Sequence, residues 1–131
     1  MHLTLKLVAL ATVATLACLL GGSAAAQDGW PSRPLSLVVP YPPGGTSDVV
    51  GRQLAQRLRD ELGQPVVVEN KAGAATAIGA TAVARAPKDG HTLLLSAGTT
   101  FTVVPHFNDK LAYKLDDFEP VAPVATATIT S

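Results

Sequence analysis

The sequence predicts an α/β domain in which a parallel sheet is built from a βαβαβ run of elements. Three short apolar runs lie near Leu37, Val66 and Leu93, at intervals of 29 and 27 residues, which is the length of a repeated βα unit. These runs do not alternate with polar residues, as is typical of parallel strands covered on both faces. Right-handed crossovers place the carboxyl ends of such strands along one edge of the sheet. We therefore expect the loops that leave the three strands, residues 42–48, 70–76 and 96–100, to converge on one cleft.

The first helix is predicted between residues 47 and 62. An apolar residue recurs at every fourth position, and Gly63 and Pro65 follow as a C-terminal cap and a stop. Gly51 is an unfavourable residue inside a helix, which indicates that the helix packs closely on a strand. The apolar stripe consists of Val50, Leu54, Leu58 and Leu62, with Ala55 beside it.

The remaining pattern predicts two further strands, a second helix and a tail of shorter elements. Val66–Glu69 and His91–Leu95 are the second and third strands, and an alanine-rich helix runs from Ala75 to Arg85 between them. Beyond the third strand, the sequence predicts a short helical turn at 103–107, a loop or turn at 114–118 and a fourth strand at 121–129.

The first 26 residues have the features of a signal peptide rather than of a folded element. Lys6 supplies a positive charge, the run from Leu7 to Leu20 is apolar but short for a membrane span, and three alanines precede position 27. We expect export and cleavage after about Ala26; a lipoprotein signal ending at Cys18 is the alternative. Cys18 is the only cysteine, so the mature chain, residues 27–131, has no thiol and is long enough for one small domain.

Charge and motif content exclude several classes of function. Ten basic and ten acidic residues balance, with no cluster of either sign, which argues against nucleic acid or a membrane surface as a partner. Neither a Walker loop nor a dinucleotide fingerprint is present, so no cofactor is expected. His91 and His106 have no cysteine or paired carboxylate at metal-binding spacing, so no metal site is expected.

The run from Pro40 to Asp48, Pro-Tyr-Pro-Pro-Gly-Gly-Thr-Ser-Asp, predicts a rigid turn followed by the start of a helix. Its prolines end the first strand, Gly44 and Gly45 let a ligand approach the backbone, and Thr46 or Ser47 is the expected N-cap. The unpaired N–H groups of a helix N-terminus at the carboxyl end of a strand are suited to an anion. A plain tight turn with a capped helix is the alternative interpretation.

A hydrolytic site can also be assembled from the serine, histidine and aspartate residues, and it is disfavoured. Ser96 follows a strand, but Leu94 occupies the position where a nucleophile elbow requires glycine, and His91 begins a strand at the opposite edge. His106 is interpreted as a surface or packing residue, and Glu69 as a carboxylate that braces its loop. The residues available for such a triad are Ser47, Asp48, His91, Ser96 and His106.

Five blocks of the sequence together resemble the Bug, or tripartite tricarboxylate transporter, substrate-binding family. They are Trp30-Pro-Ser-Arg-Pro34, the Pro40–Asp48 run, Val67-Val-Glu-Asn-Lys71, Ala86-Pro-Lys-Asp-Gly90 and Leu93–Ala97, and they span essentially the whole mature chain in order. The resemblance implies a two-lobed, periplasmic binding protein of the type II fold and no enzymatic activity. Members of the family capture small carboxylates and deliver them to membrane permease subunits.

The resemblance also implies which residues bind the ligand. In the family, the loop after the first strand takes part in carboxylate binding, often through water, and the loop after the third strand lies in the same cleft. The loop after the second strand usually reads Pro-Gly-Ala-Gly-Gly, whereas Ala72–Thr76 reads Ala-Gly-Ala-Ala-Thr here. Transferred to this sequence, the predicted ligand residues are Tyr41, Gly44, Gly45, Thr46, Ser47, Asp48, Gly73, Ser96, Ala97, Gly98 and Thr99.

Residues 27–131 correspond to part of the N-terminal lobe of such a protein, without its second lobe. The chain is therefore interpreted as a fragment or as a truncated relative, and a non-functional remnant is a further alternative. A small exported α/β domain with hydrolytic activity is the alternative from a different functional class. An incomplete lobe would expose a sheet edge and an uncovered apolar face.

Overall fold

Three parallel strands in the order β2-β1-β3 form the centre of the structure, which is a computed structural model describing residues 29–126. The strands are β1 (Leu35–Val39), β2 (Val66–Asn70) and β3 (Thr92–Leu94). Two longer helices follow the first two strands, α1 (Thr46–Leu62) and α2 (Ala77–Ala84), and a 3₁₀ turn at Ala74–Thr76 precedes α2. The predicted α/β fold with a parallel sheet is therefore confirmed. The expected leader, with its cleavage site and Cys18, lies outside the described residues.

Two short helices and a 3₁₀ turn follow β3. The helices are α3 (Thr99–Thr102) and α4 (Val104–Phe107), and the 3₁₀ turn spans Leu115–Asp117. The helical turn expected at 103–107 is confirmed by α4, and the turn expected at 114–118 is confirmed as well. The loop predicted after β3 is shorter than expected, because Thr99 and Thr100 already belong to α3.

Strand β1 lies in the middle of the sheet and forms its most buried part. Its central residue, Leu37, is paired with Val68 of β2 on one side and with Leu93 of β3 on the other. One core cluster joins Leu37 and Val39 to Ala55 of α1. A second cluster joins Ala77 and Ala80 of α2 to Tyr113, with Leu94 of β3 packed against it. The central strand is thus covered on both faces, as the unalternated apolar strands predict.

Helix α1 approaches the sheet closely because residue 51 has no side chain. A Cβ atom added at Gly51 would lie 2.9 Å from Cγ2 of Val39 and 3.4 Å from Cδ2 of Leu95. Gly51 is buried, and so is Ala55, one turn further along the helix. The close helix–strand packing inferred from the glycine is therefore confirmed. Helix α1 ends as expected at Gly63, whose left-handed conformation lets its N–H bond to the carbonyl of Arg59.

The fourth strand predicted at 121–129 is wrong for residues 121–126. These residues have no regular structure, and Val121 is 84% exposed. A β-strand requires a neighbouring strand to bond its backbone, and β-branched residues alone do not supply one. Residues 127–129 lie outside the described part of the chain.

Strands β2 and β3 each have a neighbour on one side only within residues 29–126. Some large apolar side chains are also well exposed, among them Val67 of β2 and Phe107 of α4. No helix in this part of the chain combines the length and the apolar character that a membrane span needs.

We expect Gly51→Ala to destabilise the fold by about 1 kcal/mol or more. Overpacking a filled core costs about 1–3 kcal/mol, and a Cβ only 2.9 Å from Val39 belongs in the upper part of that range. The better helix propensity of alanine returns about 1 kcal/mol at most. Gln53→Ala, at an exposed position of the same helix, is the matched control and should leave stability nearly unchanged. Urea denaturation measures both variants. A Gly51→Ala protein as stable as the parent would contradict the close packing of α1 on Val39.

Candidate functional site

The loops that leave the three strands meet at one edge of the sheet, as the sequence predicts. We call them loop 1 (residues 40–45), loop 2 (residues 71–76) and loop 3 (residues 95–98). The hydroxyl oxygen of Tyr41 in loop 1 accepts a hydrogen bond from the N–H of Ala97 in loop 3, at 3.3 Å. The hydroxyl groups of Thr76 in loop 2 and Thr100 in α3 lie 2.9 Å apart. Asn70, the last residue of β2, donates to the carbonyl of Tyr41 at 3.2 Å. Loop 1 is therefore tied to loop 3 and to the end of β2, and loop 2 is tied to the start of α3.

Loop 1 ends at the N-terminus of α1, where the N-cap is Gly45. The prediction that Thr46 or Ser47 caps the helix is wrong, because helix α1 already begins at Thr46 and no side-chain cap bond is formed at Gly45. Instead, the side chain of Asp48 reaches back and accepts a hydrogen bond from the N–H of Gly44, at 2.9 Å. Gly44 has a φ of +85°, which a residue with a side chain rarely adopts.

Asp48 is a buried carboxylate whose oxygens are occupied by neighbours in the protein. Its side chain contacts Gly44, Arg52 and Asn70, with Arg52 Nε 3.0 Å from Oδ2 and Asn70 Nδ2 3.0 Å from Oδ1. The hydrogen bond from Arg52, followed by the one from the Gly44 N–H, lowers the pKa of Asp48 to about 2. The sequence predicts that Asp48 contacts the ligand. The structure places it beneath loop 1, with both oxygens engaged.

The Glu69-Asn70-Lys71 segment at the end of β2 braces the site from below. Glu69 accepts a hydrogen bond from the hydroxyl of Ser36 on β1 and pairs with Lys71, whose Nζ lies 2.7 Å from Oε2. Lys71, and then Ser36, hold the pKa of the Glu69 carboxyl below its usual range. The interpretation of Glu69 as a bracing carboxylate is thereby confirmed. Asn70 has no role in the sequence-based site, although its amide contacts both Tyr41 and Asp48.

Loop 2 contains a run of residues in the left-handed region of the backbone. Gly73 has a φ of +126°, and Ala74, Ala75 and Thr76 follow at +47°, +51° and +78°. For residues with a side chain, this conformation costs about 1–2 kcal/mol each. The run brings Thr76 to the N-cap position of α2 and within hydrogen-bond distance of Thr100. Where the family usually has two glycines, this chain has Ala75 and Thr76, and both adopt a positive φ that glycine would adopt without strain.

Loop 3 and the start of α3 are held by a chain of hydroxyl groups. Thr100 is fully buried, and its Oγ1 lies 2.6 Å from Oγ of Ser96 as well as 2.9 Å from Thr76. The hydroxyl of Tyr113 donates to the carbonyl of Thr100, at 2.8 Å, and burial raises the pKa of Tyr113. Ser96, a predicted ligand residue, is therefore oriented by Thr100, which the sequence does not single out.

His91 and Ser96, which a hydrolytic triad would join, lie beyond opposite ends of β3. His91 is buried below the opposite end of β3, where its Nε2 accepts a hydrogen bond from the N–H of Ser32 and its Nδ1 lies 3.1 Å from the carbonyl of Asp89. His106 is exposed on α4. The hydroxyl of Ser96 is bonded to Thr100 rather than to an imidazole. Among residues 29–126, no group of three or more histidine, cysteine or acidic residues could hold a metal ion.

Backbone donors at the start of α1 are the groups best suited to an anion. The N–H groups of the first helical turn have no acceptor inside the helix, which leaves Gly45, Thr46 and Ser47 with donors at the exit edge. Partial positive charge from the helix dipole adds to the attraction. The N–H of Gly44, in contrast, is turned inward to Asp48. A depression of about 220 Å³ lies elsewhere, between α1 and β2, and none of the predicted ligand residues lines it.

Comparison with known proteins identifies the family of the chain. The model of the tripartite tricarboxylate transporter family receptor matches residues 50–130. The chain belongs to this family. Protein BugT of Bordetella pertussis is 48% identical over 99 residues, which cover 74% of this chain and 30% of BugT. The chain spans about a third of the length of the curated relatives it matches.

Two solved structures support the same fold. A periplasmic transporter is 46% identical with a TM-score of 0.62, over 65% of this chain and 29% of that protein. The malate-bound structure of MatC from Rhodopseudomonas palustris is 44% identical with a TM-score of 0.63, over 70% of this chain and 32% of MatC. The resemblance to the Bug family is therefore confirmed.

We expect Asp48→Asn to destabilise the protein more at neutral pH than in acid. The folded state holds the pKa of Asp48 near 2, below the ordinary aspartate value of about 3.9, so ionised Asp48 stabilises the fold above that value. This contribution is lost as the pH falls toward 2. The difference in unfolding free energy between the parent and Asp48→Asn should therefore shrink between pH 7 and about pH 2.5 in urea titrations.

The control for this pH series is Asp109→Asn, at an exposed aspartate. Its difference from the parent should stay small at every pH. A constant difference for Asp48→Asn across the same range would show that the ionised carboxylate does not stabilise the fold.

We expect Ala75→Gly to stabilise the protein by about 0.5–1 kcal/mol. Glycine relieves the strain of the positive φ at residue 75, and its greater freedom in the unfolded chain offsets part of that gain. Ala82→Gly, inside the right-handed helix α2, should instead destabilise by about 1 kcal/mol. Thermal unfolding of the two variants separates the cases. A loss of stability in both would mean that residue 75 is not left-handed.

Proposed function

We propose that this chain forms part of the first lobe of an exported receptor that captures small carboxylates for a tripartite tricarboxylate transporter. The proposal rests on one observation. Hydrogen bonds fix the three loops at one edge of the sheet, and the N–H groups at the start of α1 that have no acceptor inside the helix lie at that edge. The related MatC protein, 44% identical, has malate bound. A dicarboxylate of that size is accordingly the first ligand to test.

The proposed roles of the predicted residues follow from their positions. Gly45, Thr46 and Ser47 donate N–H groups to one carboxylate, and the hydroxyls of Thr46 and Ser47 add further donors. Tyr41, half-buried and bonded to Ala97, forms a wall of the site. Asp48 organises loop 1 and does not touch the ligand. The remaining proposed contacts are Gly44 and Gly73 in loops 1 and 2, and Ser96, Ala97, Gly98 and Thr99 at loop 3 and the start of α3.

The receptor has a second lobe that closes over the ligand from the other side. The described residues present the loop edge as an open surface, and the first-turn N–H groups neutralise only one end of a dicarboxylate. A closing lobe excludes water and adds contacts. Residues 27–131 alone should therefore bind carboxylates weakly, with a dissociation constant on the order of millimolar or higher. Delivery to the permease subunits requires the closed form, and the proposed protein performs no chemical step on its ligand.

Replacing Gly45 with proline should weaken malate binding about tenfold to a hundredfold with little loss of fold. Proline removes the N–H, which as a charge-assisted donor contributes about 1.5–3 kcal/mol. The φ of −81° at residue 45 suits proline, and a Cβ there meets only the carbonyl of Pro42, at 3.7 Å. Isothermal titration with malate measures the effect in the two-lobed protein.

Gly45→Ala is the matched control, because it adds a Cβ and keeps the N–H. The alanine variant should bind malate nearly as well as the parent. Equal affinities of the proline and alanine variants would rule out the Gly45 N–H as a ligand donor.

Export should remove residues 1–26 and leave a periplasmic protein beginning at Gln27. The expectation rests on Lys6, the apolar run and the three alanines before the cleavage point. Mass spectrometry of the protein recovered from the periplasm measures the new N-terminus. A lipid-modified Cys18 at the N-terminus would contradict it and would place the protein on a membrane surface.

A further inference from the structure

Three side chains beneath loop 1 form a closed ring of hydrogen bonds. Asp48 Oδ2 accepts from Arg52 Nε at 3.0 Å, and Asn70 Oδ1 accepts from Arg52 Nη2 at 3.4 Å. Asn70 Nδ2 then donates to Asp48 Oδ1 at 3.0 Å and closes the ring. Two of the three residues belong to α1, and the third ends β2. The ring therefore connects the first two turns of the helix to the neighbouring strand.

The ring is attached to loop 1 at both ends of the turn. The N–H of Gly44 donates to Asp48 Oδ2, and the carbonyl of Tyr41 accepts from Asn70 Nδ2. The attachment to Tyr41 and both ring bonds of Asn70 require one orientation of its amide, with the NH₂ toward Asp48 and the oxygen toward Arg52. Turning the amide over would place its NH₂ against Arg52, a donor, and its oxygen against Asp48 and a carbonyl.

We propose that Asp48, Arg52 and Asn70 act as one positioning unit that fixes the loop 1 turn, and with it the donors at Gly45, Thr46 and Ser47, for carboxylate binding. None of the three touches the ligand in this proposal, which rests on the proposed function. Arg52 is required as arginine, because Nε and Nη2 reach two different partners at once. The ring also pairs the charge of Asp48 with that of Arg52, so that a buried anion does not repel an incoming carboxylate.

The first test compares Arg52→Lys with Arg57→Lys in the two-lobed protein. Lysine at 52 keeps the charge opposite Asp48 but cannot hold both Asp48 and Asn70 in the same geometry. We expect the malate dissociation constant to rise about tenfold in Arg52→Lys, with a melting temperature within about 4 °C of the parent. Arg57 lies exposed on the same helix, and Arg57→Lys should change neither quantity.

A readout without ligand is the hydrogen exchange of the Gly44 amide, followed by NMR. Its N–H is held by Asp48 in the parent, so exchange should be faster by tenfold or more in Arg52→Lys and unchanged in Arg57→Lys. This measurement separates the two proposals. If the parent fails to bind malate while Gly44 exchange responds as expected, the ligand assignment is wrong and the positioning unit stands.

The second test exchanges the amide and the carboxylate. In Asp48→Asn alone, the new amide has two possible orientations. In one, its NH₂ faces the NH₂ of Asn70; in the other, its NH₂ faces the donors of Arg52 and Gly44, which then lose their acceptor. In the double variant Asp48→Asn, Asn70→Asp, residue 48 can donate to the new carboxylate, which in turn accepts from Arg52. The bond to the Tyr41 carbonyl is lost, and an oxygen of the new carboxylate faces that carbonyl instead, so the recovery is partial. We expect the double variant to show more Gly44 protection and tighter malate binding than Asp48→Asn alone, without reaching the parent.

Two results would overturn the inference. One is unchanged Gly44 exchange and unchanged malate affinity in Arg52→Lys. The other is a double variant that is at least as impaired as Asp48→Asn alone in both measurements, because a closed ring predicts that the two substitutions compensate each other.

Discussion

Strand β1 is paired on both sides and covered on both faces, and the positions of the other elements depend on it. Leu37 and Val39 pack on α1, while β2 and β3 are held in register by the backbone of β1. The strand must end at Pro40, which has no N–H to donate and is itself fully buried. Because all three strands run parallel, their ends lie at one edge. The loops meet there as a consequence of the sheet, before any side chain at the edge is considered.

Side chains then turn this meeting of loops into a fixed surface. The buried carboxylate of Asp48 accepts hydrogen bonds from three protein donors in place of water. One of these donors is the N–H of Gly44, and this bond holds the turn of loop 1. Thr100 does the equivalent beneath loop 3 with hydroxyl groups on both sides. Neither residue has surface to offer a ligand, since both are buried. The site therefore separates two tasks: buried polar groups shape the loops, and backbone groups at the edge are left available for an anion.

Elements set by local pattern could be predicted from the sequence, and elements set by distant partners could not. The stripe of α1, the Gly63 cap and the apolar strands are all local signals, and the structure has them at the expected positions. The role of Asn70 depends on Asp48, 22 residues away, and that of Thr100 on Thr76, 24 residues away. No local pattern in the sequence predicts either contact. The N-cap was predicted wrongly for a related reason, because the side chain that organises the turn comes from inside the helix.

Two further predictions, the fourth strand and the start of the second helix, are wrong for the same physical reason. The segment 121–126 is rich in β-branched and small residues, but a strand exists only where another strand offers its edge. The helix predicted from Ala75 begins only at Ala77, because the loop it closes imposes a left-handed backbone on residues 74–76 despite the high helix propensity of alanine. Intrinsic preference is a weak guide wherever tertiary contacts decide the backbone.

The placement of the tyrosines gives the site a natural optical reporter. The chain has two tyrosines, and the hydroxyl groups of both contact the backbone beside loop 3. Tyr41 accepts from Ala97 at the edge, and Tyr113 donates to Thr100 underneath it, where Phe101 and Phe118 pack edge-on against its ring. An asymmetric aromatic environment of this kind produces a near-ultraviolet circular dichroism signal. Rearrangements of loop 3 can thus be followed in the unmodified protein, without attaching a dye near the surface where a ligand would sit.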